Sequence, residues 1–385
     1  MVNYQVNWKY KPFLFLIDLI GNILFIYRKL FKRGLKKEGI KKILIVRIDE
    51  IGDVILTTPL LKTLRNGFKD AEISVLIKSS TKELLENNPD INKTYVCKYP
   101  WLKEKFRLNY FIKLMEELKK ENFDLVIELH PDPRNILLAF LIGKYRIGYG
   151  FRGLGFLLDK EIKYDPNMHI IDANLEVAKA LGIKRLYREV SMGYSKKEDR
   201  YANNLFRKNK IRNKFICINP GTGRISKTWI EERWAKLAEE LINKYKIRVI
   251  FTGSLREETY INSILNLIKE KRIKKNIINL AGRTSLRQLA AVYKKALFVI
   301  APDSGPLHIA RAVKTPLIGL YGPVDPKIWG YCSRRYRCIY KSRDCLLCKG
   351  KYESDVNKRC ECMSRIEVSD IMHEIALAGW LNEKI

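Results

Sequence analysis

Phe298-Val299-Ile300-Ala301-Pro302-Asp303-Ser304-Gly305-Pro306-Leu307-His308-Ile309-Ala310 reads as a strand, a tight polar turn and the start of a helix. The apolar run suits a buried strand, Pro302 and Gly305 punctuate it, and Pro306 stands where a first helical residue can spare its N–H. A helix N-terminus then points at whatever lies above the strand end. Its unpaired N–H groups, with the positive end of the helix dipole, favour a phosphate there. His308, one turn into the helix, adds a donor. A plain βα turn with a surface histidine would use the same residues, so the neighbouring stretches decide.

Upstream of it, Phe215 to Asn219 reads as another strand, followed by Pro220-Gly221-Thr222-Gly223-Arg224-Ile225-Ser226-Lys227-Thr228-Trp229. This nearly matches the phosphate loop Gly-x4-Gly-Lys-Ser/Thr, but Ser226 stands where the second glycine lets backbone wrap phosphates. The physics of a phosphate-handling loop survives: glycines, Gly223 among them, allow close approach, Thr222 and Ser226 offer hydroxyls, and Arg224 and Lys227 offer charge. A helix over 232–245, a strand over 247–252 and a helix opening with Glu257 and Glu258 follow. Acids there suit the dipole, and a carboxylate above a strand end can bind a ribose diol. A helix over 285–294 then leads into Phe298. The two loops therefore follow strands of one parallel sheet and can face one diphosphate from two sides.

The first half repeats the pattern. Ile43 to Ile48 is an apolar strand ending in Asp49-Glu50-Ile51-Gly52-Asp53 before a helix from Val54. Gly52 permits a tight turn and Asp53 takes the N-cap or first-turn position, for which capping alone is a sufficient reason. Strands are expected at 73–77, 94–97, 124–129 and 145–149 with helices between, an order that implies a parallel sheet covered on both faces. His130 and Arg134 follow a strand end, where open α/β sheets place ligands. Arg152 lies in a basic, glycine-rich loop that suits an anionic acceptor or simple solvation. Helices over 169–182 and 196–208 lead to a lysine-rich connector, which places the domain boundary near residue 210.

The chain has 385 residues, enough for two such domains, and a formal charge of +31 that implies a polyanionic partner: nucleic acid, an anionic membrane or a phosphorylated substrate. Of eight cysteines only Cys97 and Cys217 precede residue 300, which excludes a disulfide framework spread through the chain and points to a reducing compartment. The four histidines are scattered and form no HExxH pair, so a catalytic zinc is not expected. Residues 13–27 are apolar apart from Asp18, Gly21 and Asn22, and a run of Lys and Arg follows. At ~100° per residue these polar and basic positions share one sector, the pattern of an amphipathic helix in a membrane interface with its basic run on anionic headgroups. A helix packed on the protein's own core, or an uncleaved signal anchor, would also fit.

Taken together, Ile45-Val46-Arg47 through Gly52-Asp53-Val54 to Thr58-Pro59, Pro220-Gly221-Thr222 with Lys227 and Trp229, Asp303 to His308, and Tyr321-Gly322-Pro323-Val324-Asp325-Pro326 resemble glycosyltransferase family 9 over residues 41–330. These are the heptosyltransferases of lipopolysaccharide assembly. The resemblance implies an α/β chain of GT-B architecture, two Rossmann-like domains with parallel sheets facing a cleft. Residues 1–40 would be a membrane-associating segment, 41–210 the acceptor domain, and 211–385 the nucleotide-sugar domain with a cysteine-rich loop.

It implies an inverting, metal-independent transfer from a nucleotide diphosphate sugar, typically ADP-heptose, to a lipopolysaccharide core or other anionic glycolipid or oligosaccharide, at the cytoplasmic face of the inner membrane. By position, Asp53 would be the general base. Thr222, Gly223, Lys227, Glu257, Asp303, Ser304, Gly305 and His308 would hold the donor, and Gly52, His130, Arg134 and Arg152 would meet the acceptor. No cofactor is implied, although Cys345, Cys348, Cys360 and Cys362 could hold a structural zinc if the short Cys360-x-Cys362 spacing allows it. The rivals are a basic nucleic-acid or membrane-binding protein, against which no recognised RNA or DNA module stands, and a nucleotide hydrolase, disfavoured by Ser226.

Overall fold

The computed structural model describes residues 11–25, 35, 37–98, 108–211, 214–341 and 358–381. The chain divides into two compact units, Met1–Glu189 and Val190–Ile385. In the first, strands β1 (Lys42–Arg47), β2 (Glu72–Lys78), β3 (Lys93–Cys97), β4 (Phe123–Glu128), β5 (Gly143–Gly148) and β6 (Lys160–Glu161) form one sheet in the order β3-β2-β1-β4-β5-β6. Neighbouring strands run parallel throughout. The central strand β1 is buried from Ile43 to Arg47, which is why it reads as a continuous apolar run and not an alternating one. Helices α1 (Lys11–Leu24), α2 (Ile51–Gly67), α3 (Leu108–Glu121), α4 (Pro133–Ile142) and α5 (Ile170–Ala180) complete the unit.

The second unit repeats the design with β7 (Phe215–Ile218), β8 (Arg248–Phe251), β9 (Ile277–Asn279), β10 (Val299–Pro302), β11 (Leu317–Tyr321) and β12 (Tyr336–Tyr340), ordered β12-β11-β10-β7-β8-β9. Its longer helices are α6 (Lys196–Lys208), α7 (Glu231–Tyr245), α8 (Glu258–Leu267), α9 (Leu286–Lys295), α10 (Gly305–Ala312) and α11 (Val368–Ala378). Trp229 and Trp234 meet edge to face at 4.7 Å in its core, and the Trp229 indole N–H donates to Ile366 O at 2.9 Å, so the segment after α10 is tied back under the phosphate-loop region. In both units the first and fourth strands lie side by side, with connections leaving in opposite directions. That topological switch point is where open α/β sheets bind ligands.

Three placements differ from what the sequence suggests. Helix α6 belongs to the second unit, ahead of the boundary read near residue 210: its Glu198 pairs with Arg287 of α9 at 3.2 Å and its Ala202 is fully buried. Cys332 and Cys338 are joined as a disulfide with Cα atoms 5.5 Å apart, where the cysteine distribution had pointed to a reducing compartment. Six residues of separation let the chain turn back within ordinary disulfide reach.

In α1, Asp18 and Gly21 are buried, so the polar sector of the helix is partly its docking face and not a wholly outward one. The basic positions Arg28, Lys29, Lys32 and Arg33 lie outside the described residues, as do Cys345 and Cys348. Cys360 and Cys362 are buried beside Met363 in the core of the second unit. Among the described residues no helix is long and apolar enough to cross a membrane.

Candidate active site

In the first unit the switch point lies between β1 and β4, held in register by pairs such as Ile45 with Ile127 and Val46 with Glu128. Arg47 ends β1 with its side chain almost wholly buried. Its Nη1 donates to Leu129 O at 3.1 Å, and its Nη2 lies 3.4 Å from Asp53 Oδ1 in the first turn of α2. The same guanidinium stands 3.3 Å from Asp49 Oδ2, and the other oxygen of Asp49 is 2.6 Å from His130 Nδ1. Glu128, at the end of β4, is fully buried and accepts from the His130 backbone N–H at 2.9 Å and from Asn135 Nδ2 at 3.0 Å. Two strand ends thus bring three carboxylates, an arginine and a histidine into one cluster.

The three carboxylates do not titrate alike. Burial works against the charge of Asp49, but Arg47 and then His130 outweigh it and hold its carboxyl below the ordinary range. For Asp53 burial comes first, the nearby Asp49 charge adds to it, and together they push the carboxyl up to about 6 despite Arg47. Burial also carries Glu128 well above the usual carboxylate value. The group left able to exchange a proton near neutrality is Asp53, and a quarter of its side chain reaches solvent. Arg47, which hydrogen-bonds Leu129 and Asp53 and is ion-paired with Asp49, is also the keystone of the fold here. Arg47→Met should cost ~3–5 kcal/mol, because it strands buried carboxylates without a counter-charge. A urea melt whose midpoint matched the parent's would refute that.

The acceptor-side residues read from sequence fall around this cluster, with different commitments. His130 is bound to Asp49, and Gly52 lies in the first turn of α2. Arg152 lies 5.8 Å from the centre of the Phe151 ring, and its charge reaches Asp49. Arg134 is turned back on Asp132, the N-cap of α4, through Nε to Oδ1 at 2.9 Å and Nη2 to Oδ2 at 2.6 Å.

In the second unit the switch point lies between β7 and β10. The loop after β7 stays open through Thr222 and Gly223, makes one three-residue turn over Ile225–Lys227, and only later enters α7. No helix starts directly on it, so it differs from a nucleotide-hydrolase phosphate loop, in agreement with Ser226, which is buried. Lys227 Nζ is paired with the Asp303 carboxylate at the end of β10. Ser304 caps α10 by position, and its hydroxyl donates to Pro302 O at 3.1 Å. His308 is buried, with Nδ1 2.9 Å from the Tyr331 hydroxyl and Nε2 3.8 Å from Asp303.

Glu257 accepts from Ser254 N–H at 2.7 Å and Ser254 Oγ–H at 2.8 Å with one oxygen, while the other lies against Gly221. A Cβ at Gly221 would collide with that carboxylate, whereas Gly223 faces open space. The structure therefore gathers Lys227, Asp303, Ser304, Gly305 and His308 at one strand end and Glu257 beside Gly221.

Arg47, Asp49 and Glu128 were not singled out as site residues from sequence. Glu128 closes an apolar run and Arg47 closes another, so both read as strand ends. The only signal for Asp49 was its place four residues before Asp53.

The model of the glycosyltransferase family 9 (heptosyltransferase) matches residues 111–358, more than half of the chain but starting after the Asp53 loop. The chain is 30% identical over 288 residues to lipopolysaccharide heptosyltransferase 3 of Escherichia coli K12, covering 72% of this chain and 81% of that one. Among solved structures of the same fold, the E. coli ADP-heptose lipopolysaccharide heptosyltransferase II, at 23% identity and a TM-score of 0.73, covers 89% of this chain and 100% of its own. The E. coli heptosyltransferase WaaC with ADP-2-deoxy-2-fluoro heptose follows at 20% identity and a TM-score of 0.63, covering 87% of this chain and 99% of its own. Each unit carries a parallel six-stranded sheet in the same strand order, the paired Rossmann-like architecture of a GT-B fold, and with a family match over most of its length the chain belongs to glycosyltransferase family 9 as an enzyme that transfers sugars.

Proposed function

We propose that this enzyme moves a heptose from ADP-heptose to the core of a lipopolysaccharide or another anionic, lipid-linked acceptor, with inversion at the anomeric carbon. The observation that carries the reading is Asp53, a carboxylate at the first switch point whose carboxyl sits near 6. It takes the proton of an acceptor hydroxyl while that oxygen bonds the anomeric carbon and the bond from that carbon to the diphosphate oxygen breaks, releasing ADP. One direct displacement inverts the centre. The proton goes to Asp53 and the electron pair leaves with ADP.

The donor rests on the second unit, residues 211–385 in the sequence division, with Thr222, Gly223 and Lys227 at the diphosphate and Glu257 on the ribose. Asp303, Ser304 and Gly305 would close over the phosphates, and His308 acts through Asp303 because it is buried against Tyr331. His130, Gly52, Arg134 and Arg152 would meet the acceptor in the first unit. No metal step is part of this mechanism: the sequence lacks an Asp-x-Asp pair, and the charge on the leaving diphosphate would be met by Lys227. The reaction is placed at the inner face of the cytoplasmic membrane, where a lipid-linked acceptor is found.

The deciding experiment is turnover with a panel of ADP-, GDP-, UDP- and TDP-sugars on a lipopolysaccharide inner-core acceptor, with and without a chelator. ADP-heptose alone should support transfer, the product linkage should be inverted, and chelator should leave the rate unchanged. Transfer from another nucleotide sugar, retention, or loss of rate with chelator would each overturn the corresponding part. Phosphate release without any acceptor would restore the hydrolase reading.

A further inference from the structure

We propose that helix α1, with the adjoining edge of α4, is a lipid-facing surface that seats the first unit on an anionic bilayer. The inference deepens the reading of a lipid-linked acceptor and rests on it only for the place where that acceptor is met. Helix α1 is built inside out. It docks by a narrow stripe at helical spacing, in which Leu14 lies by Gly153, Asp18 Oδ1 accepts from Leu154 N–H at 2.8 Å, and Gly21 lets the Phe156 ring approach closer than any side chain would permit. Just beyond it, Phe25 lies 5.9 Å from the Phe140 ring and 5.4 Å from that of Phe156.

Apart from Lys11 and Asn22, the rest of α1 is apolar and largely unburied: Phe13, Leu16, Leu19, Ile20, Ile23 and Leu24 are 48–71% exposed. A surface helix of a water-facing protein turns its apolar stripe inward, and contiguous apolar patches of this kind mark an interaction face. Helix α4 extends the patch, since ~100° per residue sets Leu137 and Leu141 beside Phe140, the residue that meets Phe25 just after α1. Both are also exposed, at 45% and 44%.

The charge on the chain selects a lipid surface as the occupant. Immediately after the helix the sequence carries Arg28, Lys29, Lys32, Arg33, Lys36 and Lys37, within a chain of formal charge +31. An apolar helical face followed by a basic run is the chemistry of an interfacial helix on anionic headgroups. At 14 residues α1 is too short to span, since crossing takes about 20.

The test uses the full chain and sedimentation with vesicles of phosphatidylcholine, alone or with phosphatidylglycerol added, in the absence of any sugar donor. The parent should bind the anionic vesicles, less so as salt rises. Leu19→Glu with Ile23→Glu, two exposed positions outside the docking stripe, should lower that partition about tenfold or more while the thermal melt and turnover on a water-soluble acceptor stay unchanged. Equal binding by parent and double variant would overturn the proposal. So would a parent that ignores the vesicles and instead self-associates through this face, with the double variant monomeric. If vesicle binding behaves as stated but no ADP-sugar is used, the ADP-heptose reading fails and this one stands.

Discussion

Asp53→Asn should fold and bind donor as the parent does while turning over roughly 10²- to 10⁴-fold more slowly, the usual scale for a lost general base. Asparagine serves the first turn of a helix about as well as aspartate, so a merely capping Asp53 predicts almost no change. The structure sharpens the contrast. Glu50, not Asp53, is the N-cap of α2, and Asp53 Oδ1 instead faces Arg47 at 3.4 Å. An amide there keeps an oxygen for the guanidinium but has no lone pair of sufficient basicity for the hydroxyl proton. Stopped-flow or steady-state release of ADP separates the accounts, and a variant within threefold of parent would remove Asp53 from the chemistry.

The parent's own pH profile tests the same assignment without mutation. With the carboxyl pushed up to about 6, first by burial and then by Asp49, the ionised base is lost as pH falls below that value. The value of kcat/KM should drop about tenfold per pH unit on the acid limb. Linkage runs the other way for stability. A carboxyl raised in the folded state contributes stability that is fully present below its unfolded value of 3.8 and lost as pH rises through about 6. Asp53→Asn should therefore flatten both the acid limb of activity and that part of the stability curve.

Much of the fold was legible because parallel strands buried on both faces announce themselves as apolar runs, and because the polar loops after them interrupt the run sharply. Ile43 to Ile48 and Phe298 to Pro302 are such runs, and each leads to a strand end at a switch point. Strands β6, β9, β11 and β12 were not read from the sequence; two of them lack such a run, since Lys160–Glu161 has no apolar residue and Tyr336–Tyr340 is broken by Arg337.

The site was legible only where one loop carries it. Asp53 and the Lys227 loop could be found in a line of sequence. The Arg47–Asp49–His130 and Glu128 group could not, since it assembles from two strands that become neighbours only when β4 adds beside β1. Helix α1 shows a different limit. Periodicity grouped Asp18, Gly21 and Asn22 on one face, but it cannot say on which side the protein lies, and the small and hydrogen-bonding residues turned out to be the docking stripe.

Lys227→Ala carries the other large effect. Its ammonium is held against Asp303, whose side chain is nearly buried and is also approached by His308, so the cation waits at the strand end with its position already fixed. A diphosphate arriving there would share that cation, and a hydrogen bond to a charged group contributes ~1.5–3 kcal/mol, or about 10- to 150-fold in affinity. Because negative charge grows on the departing ADP, the same contact strengthens in the transition state. The loss in kcat/KM should therefore exceed the loss in binding, reaching roughly 10²- to 10³-fold.

ADP itself should bind more weakly to the variant, by about the same factor as the intact donor, since both present the diphosphate. Arg224→Ala is the control. Arg224 sits at the exposed lip of the loop, where charges act through solvent, and its loss should cost no more than about fivefold. Calorimetry with ADP on both variants decides the matter: equal losses from Arg224 and Lys227, or none from Lys227, would mean that the diphosphate rests elsewhere than on this strand end.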